Sequence, residues 1–277
     1  MKHAVWLMAA LGLAASIAQA QTSPEEERLQ IVQAVQHKFP NIRFEDYVYG
    51  ALAFSPDARQ QYDSLMEFPP FTSEIDKGRK LWETPFKNGK TYADCLPNRG
   101  IKVAGNYPYF DAKRNKVVTF EMALNDCRTG NGEEAYKHGD MNTMGLLTAY
   151  ARALSDGMTM SITVKGEGAL KAYEAGRSFF HQRRGQLNFS CSLCHINNVG
   201  NILRTEYLSM VPGQATHWPA FRGGDYTLFT LQRRYAVCNQ MVRAVPLEPG
   251  SEEYNNLEYY HSYLSNGLPL KASVFRK

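Results

Sequence analysis

The segment FSCSLCHINNVG, residues 189–200, constrains this chain more than any other part of its sequence. Two residues separate Cys191 from Cys194, and His195 follows at once. Cys-x-x-Cys-His is the attachment sequence of c-type haem. On one helical turn the two thiols reach the two vinyl groups of the porphyrin, and the adjacent imidazole lies under the iron. The motif therefore predicts a covalently bound haem.

A Cys-x-x-Cys pair also has other uses, namely a disulfide, half of a zinc site, or a redox-active pair. A zinc site needs further ligands at short spacing, and the sequence supplies none. A thioredoxin-like redox pair belongs in a βαβ context, which the surrounding sequence does not predict. Haem attachment is therefore the favoured interpretation.

The first twenty residues are typical of an export signal. The apolar run Ala4–Ala15 is too short to span a bilayer, and Ala18-Gln19-Ala20 is a small-residue cleavage pattern. We therefore predict a signal peptide over residues 1–20 and a mature protein in the periplasm, an oxidising compartment. No later stretch approaches the length of a membrane span, so none is expected.

Helical patterns cover most of the remaining chain, and strand-like alternation is scarce. A helix, a loop and a cysteine-containing segment ending in glycine occur over Gly78–Gly100 and again over Gly176–Gly200. The pattern predicts a mostly α protein with two similar halves, residues 21–160 and residues 161–277.

The residue on the other side of the iron has three candidates. Met210 and Met241 follow His195, and His–Met ligation is typical of electron-carrying c-type cytochromes. Cys238 is the competitor. Its alternative interpretation is a buried, inert thiol, because free cysteine packs as a small hydrophobe.

The neighbours of Cys238 favour a chemical role. In a helix, Arg234 precedes Cys238 by four residues and shares its face, and Arg233 and Arg243 add positive charge nearby. A cationic setting favours the thiolate, and a guanidinium binds an oxyanion through two hydrogen bonds. The alternative is a solvated basic helix face. The formal net charge of +4 is too mild for a nucleic-acid-binding protein, so no nucleic-acid partner is expected.

Three segments closely resemble the SoxA family: GQLNFSCSLCHINNVGNILR, RRYAVCNQMVRA and the C-terminal GSEEYNNLEYYHSYLSNGLPLKASVFRK. CLPNRG, YPYFD and LNDCR in the first half extend the resemblance over nearly the whole mature chain. SoxA proteins are the cytochrome subunits of SoxAX complexes in bacterial thiosulfate oxidation. The resemblance implies two cytochrome-c-like domains, here residues 21–160 without haem and residues 161–277 with haem.

The resemblance also implies a role for each site residue. Cys191 and Cys194 attach the haem, and His195 is the proximal iron ligand. Cys238 is the distal ligand and the covalent intermediate, often as a persulfide, and Arg234 binds the anionic substrate.

The activity that the resemblance implies is that of an L-cysteine S-thiosulfotransferase. Thiosulfate is coupled oxidatively to a cysteine of a SoxYZ-type carrier protein, and the electrons leave through the haem toward a small SoxX-type cytochrome. Two alternatives stay open. One is a plain periplasmic electron-transfer cytochrome with a methionine ligand, and the other is a haem-based binding module for small sulfur species.

Some family members carry a second haem on the first domain. Here Cys95-Leu-Pro-Asn-Arg stands at that place, and Asn98 and Arg99 replace the second cysteine and the histidine. The comparison predicts one haem in total, as in the single-haem branch. It leaves Cys95 and Cys127 to form a disulfide, which export permits.

Overall fold

The computed structural model describes residues 22–272 and 275–276, and the predicted signal peptide lies outside them. Helices dominate these residues, as predicted. The α-helices in this part of the chain are α1 Pro24–Lys38, α2 Pro56–Leu65, α3 Thr72–Glu83, α4 Phe120–Gly130, α5 Leu146–Ala153, α6 Glu167–His181, α7 Leu231–Met241 and α8 Glu252–Tyr263. The 3₁₀ segments are Phe44–Phe54, Tyr92–Asp94, Pro97–Gly100, Ala104–Asn106 and Gln214–His217, and the π-helical turns are Met141–Gly145 and Leu193–Asn197.

The strands are short and form three small sheets. They are β1 Tyr109–Asp111, β2 Lys116–Val118, β3 Ile202–Leu203, β4 Glu206–Tyr207, β5 Ala220–Arg222, β6 Thr227–Phe229 and β7 Phe275–Arg276. β1 pairs with β2, β3 with β4, and β5 with β6, each antiparallel, while β7 adds to β5 in parallel.

Capping residues explain where the helices begin. The Ser23 hydroxyl accepts a hydrogen bond from the Glu26 amide, and the Glu26 carboxylate accepts one from the Ser23 amide, which completes a capping box ahead of α1. The helical pattern of the sequence predicts one helix over Tyr226–Met241, and its predicted start is wrong. Thr230 caps α7, which begins at Leu231, because the preceding residues pair with β5 as a strand.

The predicted repeat is present in the structure. α3 crosses α5 at Gly78, and α6 crosses α8 at Gly176. A Cβ added at either glycine would collide with a backbone oxygen of the partner helix. In each half a β-hairpin leads into a threonine-capped helix, α4 or α7. Cys127 and Cys238 are each the eighth residue of that helix, so the two cysteines occupy equivalent positions.

The N-terminal helix packs against the second half of the chain. The carboxylate of Glu27 on α1 accepts hydrogen bonds from Tyr173 at 3.0 Å, Arg177 at 2.9 Å and Tyr260 at 3.1 Å. One hydrophobic cluster also includes buried residues from both halves. The division between residues 160 and 161 therefore stays a prediction.

A buried polar cluster involves both halves. Gln232 on α7 donates a hydrogen bond of 2.9 Å to the carboxylate of Glu258 on α8. Burial raises the pKa of Glu258 to about 8, and the charge of Glu121 on α4 adds to this. Burial lowers the pKa of Arg152 on α5, while Glu121 and Glu258 act in the opposite direction. The cluster links the electrostatics of the two halves.

Candidate haem site

The Cys-x-x-Cys-His motif forms a single helical turn. The hydroxyl of Ser190 accepts a hydrogen bond of 3.0 Å from the amide of Leu193, where the π-helical turn begins. π-helical turns are frequent at functional sites. The turn holds Cys191, Cys194 and His195 as the sequence predicted.

His195 has the environment of a metal ligand. Its Nδ1 lies 2.8 Å from the carbonyl oxygen of Ser209. Burial lowers the pKa of His195 to about 4, so the imidazole is neutral near pH 7. A neutral ring that donates Nδ1–H to a carbonyl leaves Nε2 free to bind iron.

Three free cysteines converge on this turn. Burial raises the pKa of Cys191 to about 12 and also raises the pKa of Cys194, and the charge of Cys238 contributes to both shifts. A raised pKa keeps the first two thiols protonated, which is unlike the activated thiolate of a redox pair.

Arg184 is a partly buried arginine beside the motif. Its guanidinium lies 3.4 Å from the ring centroid of Phe179 and donates a hydrogen bond of 2.8 Å to the Phe179 carbonyl. Its Nε is buried, and no described residue accepts a hydrogen bond from it. Arg184 also interacts electrostatically with Cys191.

α7 places Arg234 and Cys238 one turn apart on one face. After burial and the Ser209 hydrogen bond, the charge of Arg234 is a further influence on the pKa of His195, which it lowers. Burial also lowers the pKa of Arg222 on β5, and the charge of Arg234 lowers it further, while Cys238 raises it. These interactions show that His195, Arg234 and Cys238 lie near one another, as predicted, and that Arg222 belongs to the same cluster. Sequence reasoning missed Arg222, because the hairpin that brings it here is not encoded in helical periodicity.

The methionine candidates lie in different places. Met210 directly follows Ser209, on the Nδ1 side of His195, and packs fully buried against Val35 and Tyr47. This position is on the wrong side of the imidazole for a distal ligand. Met241 is the last residue of α7, one turn after Cys238, and is half-buried.

The other two arginines near Cys238 point elsewhere or into solvent. The guanidinium of Arg233 lies 5.6 Å from the ring centroid of Phe229, and Arg243 is exposed beyond the end of α7. By contrast, the charge of Arg234 acts on His195, and the charge of Cys238 acts on Arg222.

The predicted disulfide between Cys95 and Cys127 is present, with a Cα–Cα distance of 5.7 Å. The side-chain amide of Asn131 donates a hydrogen bond of 2.7 Å to the Cys127 carbonyl. In the repeat, this bridge joins the positions that correspond to the haem motif and to Cys238. The disulfide thus lies where the second half holds its three free thiols.

Comparisons with known proteins agree with these features. A family model described as "SoxA/TsdA, cytochrome c domain" matches residues 77–160, the half that contains the disulfide. The L-cysteine S-thiosulfotransferase subunit SoxA of Chlorobaculum tepidum is 43% identical over 87% of this chain and 83% of its own length. The subunit of the same name from Allochromatium vinosum is 41% identical over 92% of this chain and 91% of its own.

A solved structure is also similar. It is the crystal structure of SoxXA from P. pantotrophus, at 27% identity and a TM-score of 0.72, covering 79% of this chain and 84% of that chain. In the part of this chain that the structure describes, no helix has the length and apolar character to cross a membrane. The chain belongs to the SoxA family, whose curated members match it over most of its length.

Proposed function

We propose that this chain is the haem-bearing subunit of a periplasmic L-cysteine S-thiosulfotransferase that joins thiosulfate to a cysteine of a SoxYZ-type carrier. The observation that carries the proposal is the cluster of Cys238, Arg234 and Arg222 beside the Cys-x-x-Cys-His turn. A plain electron carrier needs neither a free cysteine nor two arginines at this place.

The chain's own residues account for the sulfur chemistry. The Cys238 thiolate and the sulfane sulfur of thiosulfate form an S–S bond, and this step releases two electrons. A carrier thiolate then attacks that sulfane sulfur, so Cys238 leaves as a thiolate and the carrier retains the S–S–SO₃⁻ group. Arg234 binds the sulfonate oxygens through its planar fork, as arginines bind oxyanions.

The cofactor is held by residues of the same cluster. Cys191 and Cys194 would form the thioethers, and His195 and Cys238 would hold the iron. When bound, the single haem supplies a one-electron acceptor. A SoxX-type cytochrome, in a heterodimer with this chain, receives the electrons. The similarity to SoxXA supports that partner, and the predicted signal peptide supports export to the periplasm.

The decisive variant is Cys238→Ala in the mature complex. It abolishes thiosulfate-dependent modification of the carrier while one covalent haem per chain remains, because the thioethers are intact. Pyridine haemochrome and intact mass measure the haem, and mass spectrometry of the carrier measures the product. Turnover at the unsubstituted rate would instead identify an electron carrier.

A further inference from the structure

A chain of buried hydrogen bonds leads away from His195. The amide of Gln214 lies 2.7 Å from Nδ1 of His195 and 2.6 Å from the hydroxyl of Ser209. The other end of that amide lies 2.9 Å from Nε2 of His261 on α8, and Nδ1 of His261 lies 2.8 Å from the hydroxyl of Tyr235 on α7. Gln214, His261 and Tyr235 are all buried.

This series of hydrogen bonds connects the two sides of the site. Tyr235 lies three residues before Cys238 on α7, and its ring stacks on His261 with a centroid distance of 5.8 Å. Asn239 donates a hydrogen bond of 2.9 Å to the Tyr235 carbonyl and another of 3.0 Å to the Tyr254 hydroxyl. The helix that carries Cys238 is thus tied to the imidazole of His195.

If Nε2 of His195 binds iron, the positions of the protons in this series of hydrogen bonds are fixed. Nδ1 then carries the proton, so it donates to the Ser209 carbonyl and cannot accept from an amide N–H. The amide oxygen of Gln214 must therefore face Nδ1, which a half-turn of the amide achieves, because the oxygen and nitrogen occupy similar positions. The amide nitrogen then donates to Nε2 of His261, and Nδ1–H of His261 donates to Tyr235.

We propose that Gln214 and His261 are positioning residues, which orient His195 and set how strongly its imidazole donates electrons to the iron. This rests on the proposed function only in taking His195 as the proximal ligand. A hydrogen-bond acceptor on the outer nitrogen of a ligating histidine fixes the ring and raises its basicity. Nδ1–H of His195 then has two acceptors, the Ser209 carbonyl and the Gln214 amide oxygen. The second acceptor stabilises the oxidised iron and lowers the reduction potential of the haem.

Two nearly isosteric variants test this in opposite directions. Gln214→Glu places a carboxylate beside Nδ1–H, which strengthens the hydrogen bond, so the reduction potential falls. Gln214→Met removes the acceptor, so the potential rises. The matched control is Tyr260→Phe. Tyr260 lies next to His261 on α8, but its hydroxyl bonds to Glu27 and His181 and takes no part in the hydrogen bonds from His195 to Tyr235.

The measurements are spectroelectrochemical titration and the electron paramagnetic resonance g values of the ferric haem in the full complex. Opposite shifts for the two Gln214 variants, with no shift for Tyr260→Phe, support the proposal. Unchanged potentials and g values in both haem-loaded Gln214 variants overturn it, and so does an equal shift in the control. If Gln214→Glu does not load haem, Gln214→Met alone decides.

A comparison of the unsubstituted protein with His195→Ala tests the proposed function independently of this inference. A low-spin haem that is lost in His195→Ala establishes the proximal ligand before any Gln214 variant is made. If that haem is not found, the proposed function fails. If it is found and the Gln214 variants leave it unchanged, only the hydrogen-bond proposal fails.

Discussion

Arg233 and Arg234 are adjacent on α7, yet their side chains meet different surroundings. Arg234 interacts with His195 and Arg222, whereas Arg233 lies 5.6 Å from the ring centroid of Phe229. Because one helical step separates the two, the helix itself sorts one arginine toward the site and the other away from it. The pair therefore offers a direct test of the anion-binding role.

Arg234→Ala should lower kcat/KM for thiosulfate about 10- to 100-fold, since hydrogen bonds to a charged group contribute about 1.5–3 kcal/mol. Arg234→Lys should restore only part of this, because a point charge lacks the planar fork. The absorption spectrum of the haem should stay largely unchanged in both variants. Steady-state kinetics with the carrier protein measure the effect, with Arg233→Ala as the control. An equal loss in Arg233→Ala would assign the effect to general positive charge.

At the scale of the element, the glycines in α3 and α6 determine how closely the paired helices approach. At Gly176 an added Cβ would meet the backbone oxygen of Asn256, and a backbone atom cannot move aside as the end of a side chain can. By contrast, a Cβ at Gly130, the exposed last residue of α4, would have no neighbour within 4 Å.

Gly176→Ala should therefore destabilise the fold by about 1–3 kcal/mol or more, the usual cost of overpacking. Gly130→Ala should leave the free energy of unfolding nearly unchanged. Chemical denaturation of the two haem-loaded variants, followed by circular dichroism, compares them. Equal stability would mean that α6 and α8 can separate without cost.

Local patterns predicted the helices better than they predicted the site. Ser23, Pro24 and Glu26 predict the start of α1, and the structure has it there. The helical pattern over Glu252–Leu264 predicts α8, which the structure places at Glu252–Tyr263. The start of α7 was misplaced, because the strand before it exists only through pairing with β5.

The same limit applies to the site residues. Cys238 and Arg234 share one helix, so their spacing predicted their proximity. Gln214, His261 and Arg222 reach the site from a 3₁₀ turn, another helix and a strand, and no periodicity links them. A histidine directly after the aromatic pair Tyr259-Tyr260 on α8 was the available signal for His261.

At the scale of the whole molecule, the buried carboxyl group of Glu258 in the second half is influenced by Glu121 in the first half, and its pKa is unusually high. Burial, aided by the charge of Glu121, raises the pKa of Glu258 to about 8 from an ordinary 4.5. Between these two pH values the folded chain holds a proton that the unfolded chain has released. Its stability therefore falls as the pH rises through this window.

Glu258→Gln should remove this slope, which for one proton is at most about 1.4 kcal/mol per pH unit. The free energy of unfolding, measured by denaturant titration at several pH values from 4.5 to 8, tests this. Glu252→Gln, an exposed change on the same helix, is the control and should retain the slope. The same slope in Glu258→Gln would place the titrating group elsewhere.

The packing of α1 has a consequence for how the chain folds. Glu27 on α1 bonds to Tyr260, 233 residues later, and Lys38 donates a hydrogen bond to the carbonyl of Val199, just after the haem motif. Contacts between residues so far apart form late, because the loop between them must close first. We therefore expect α1, the first of the described helices along the chain, to be among the last to dock, and its docking to close the chain beside the haem motif.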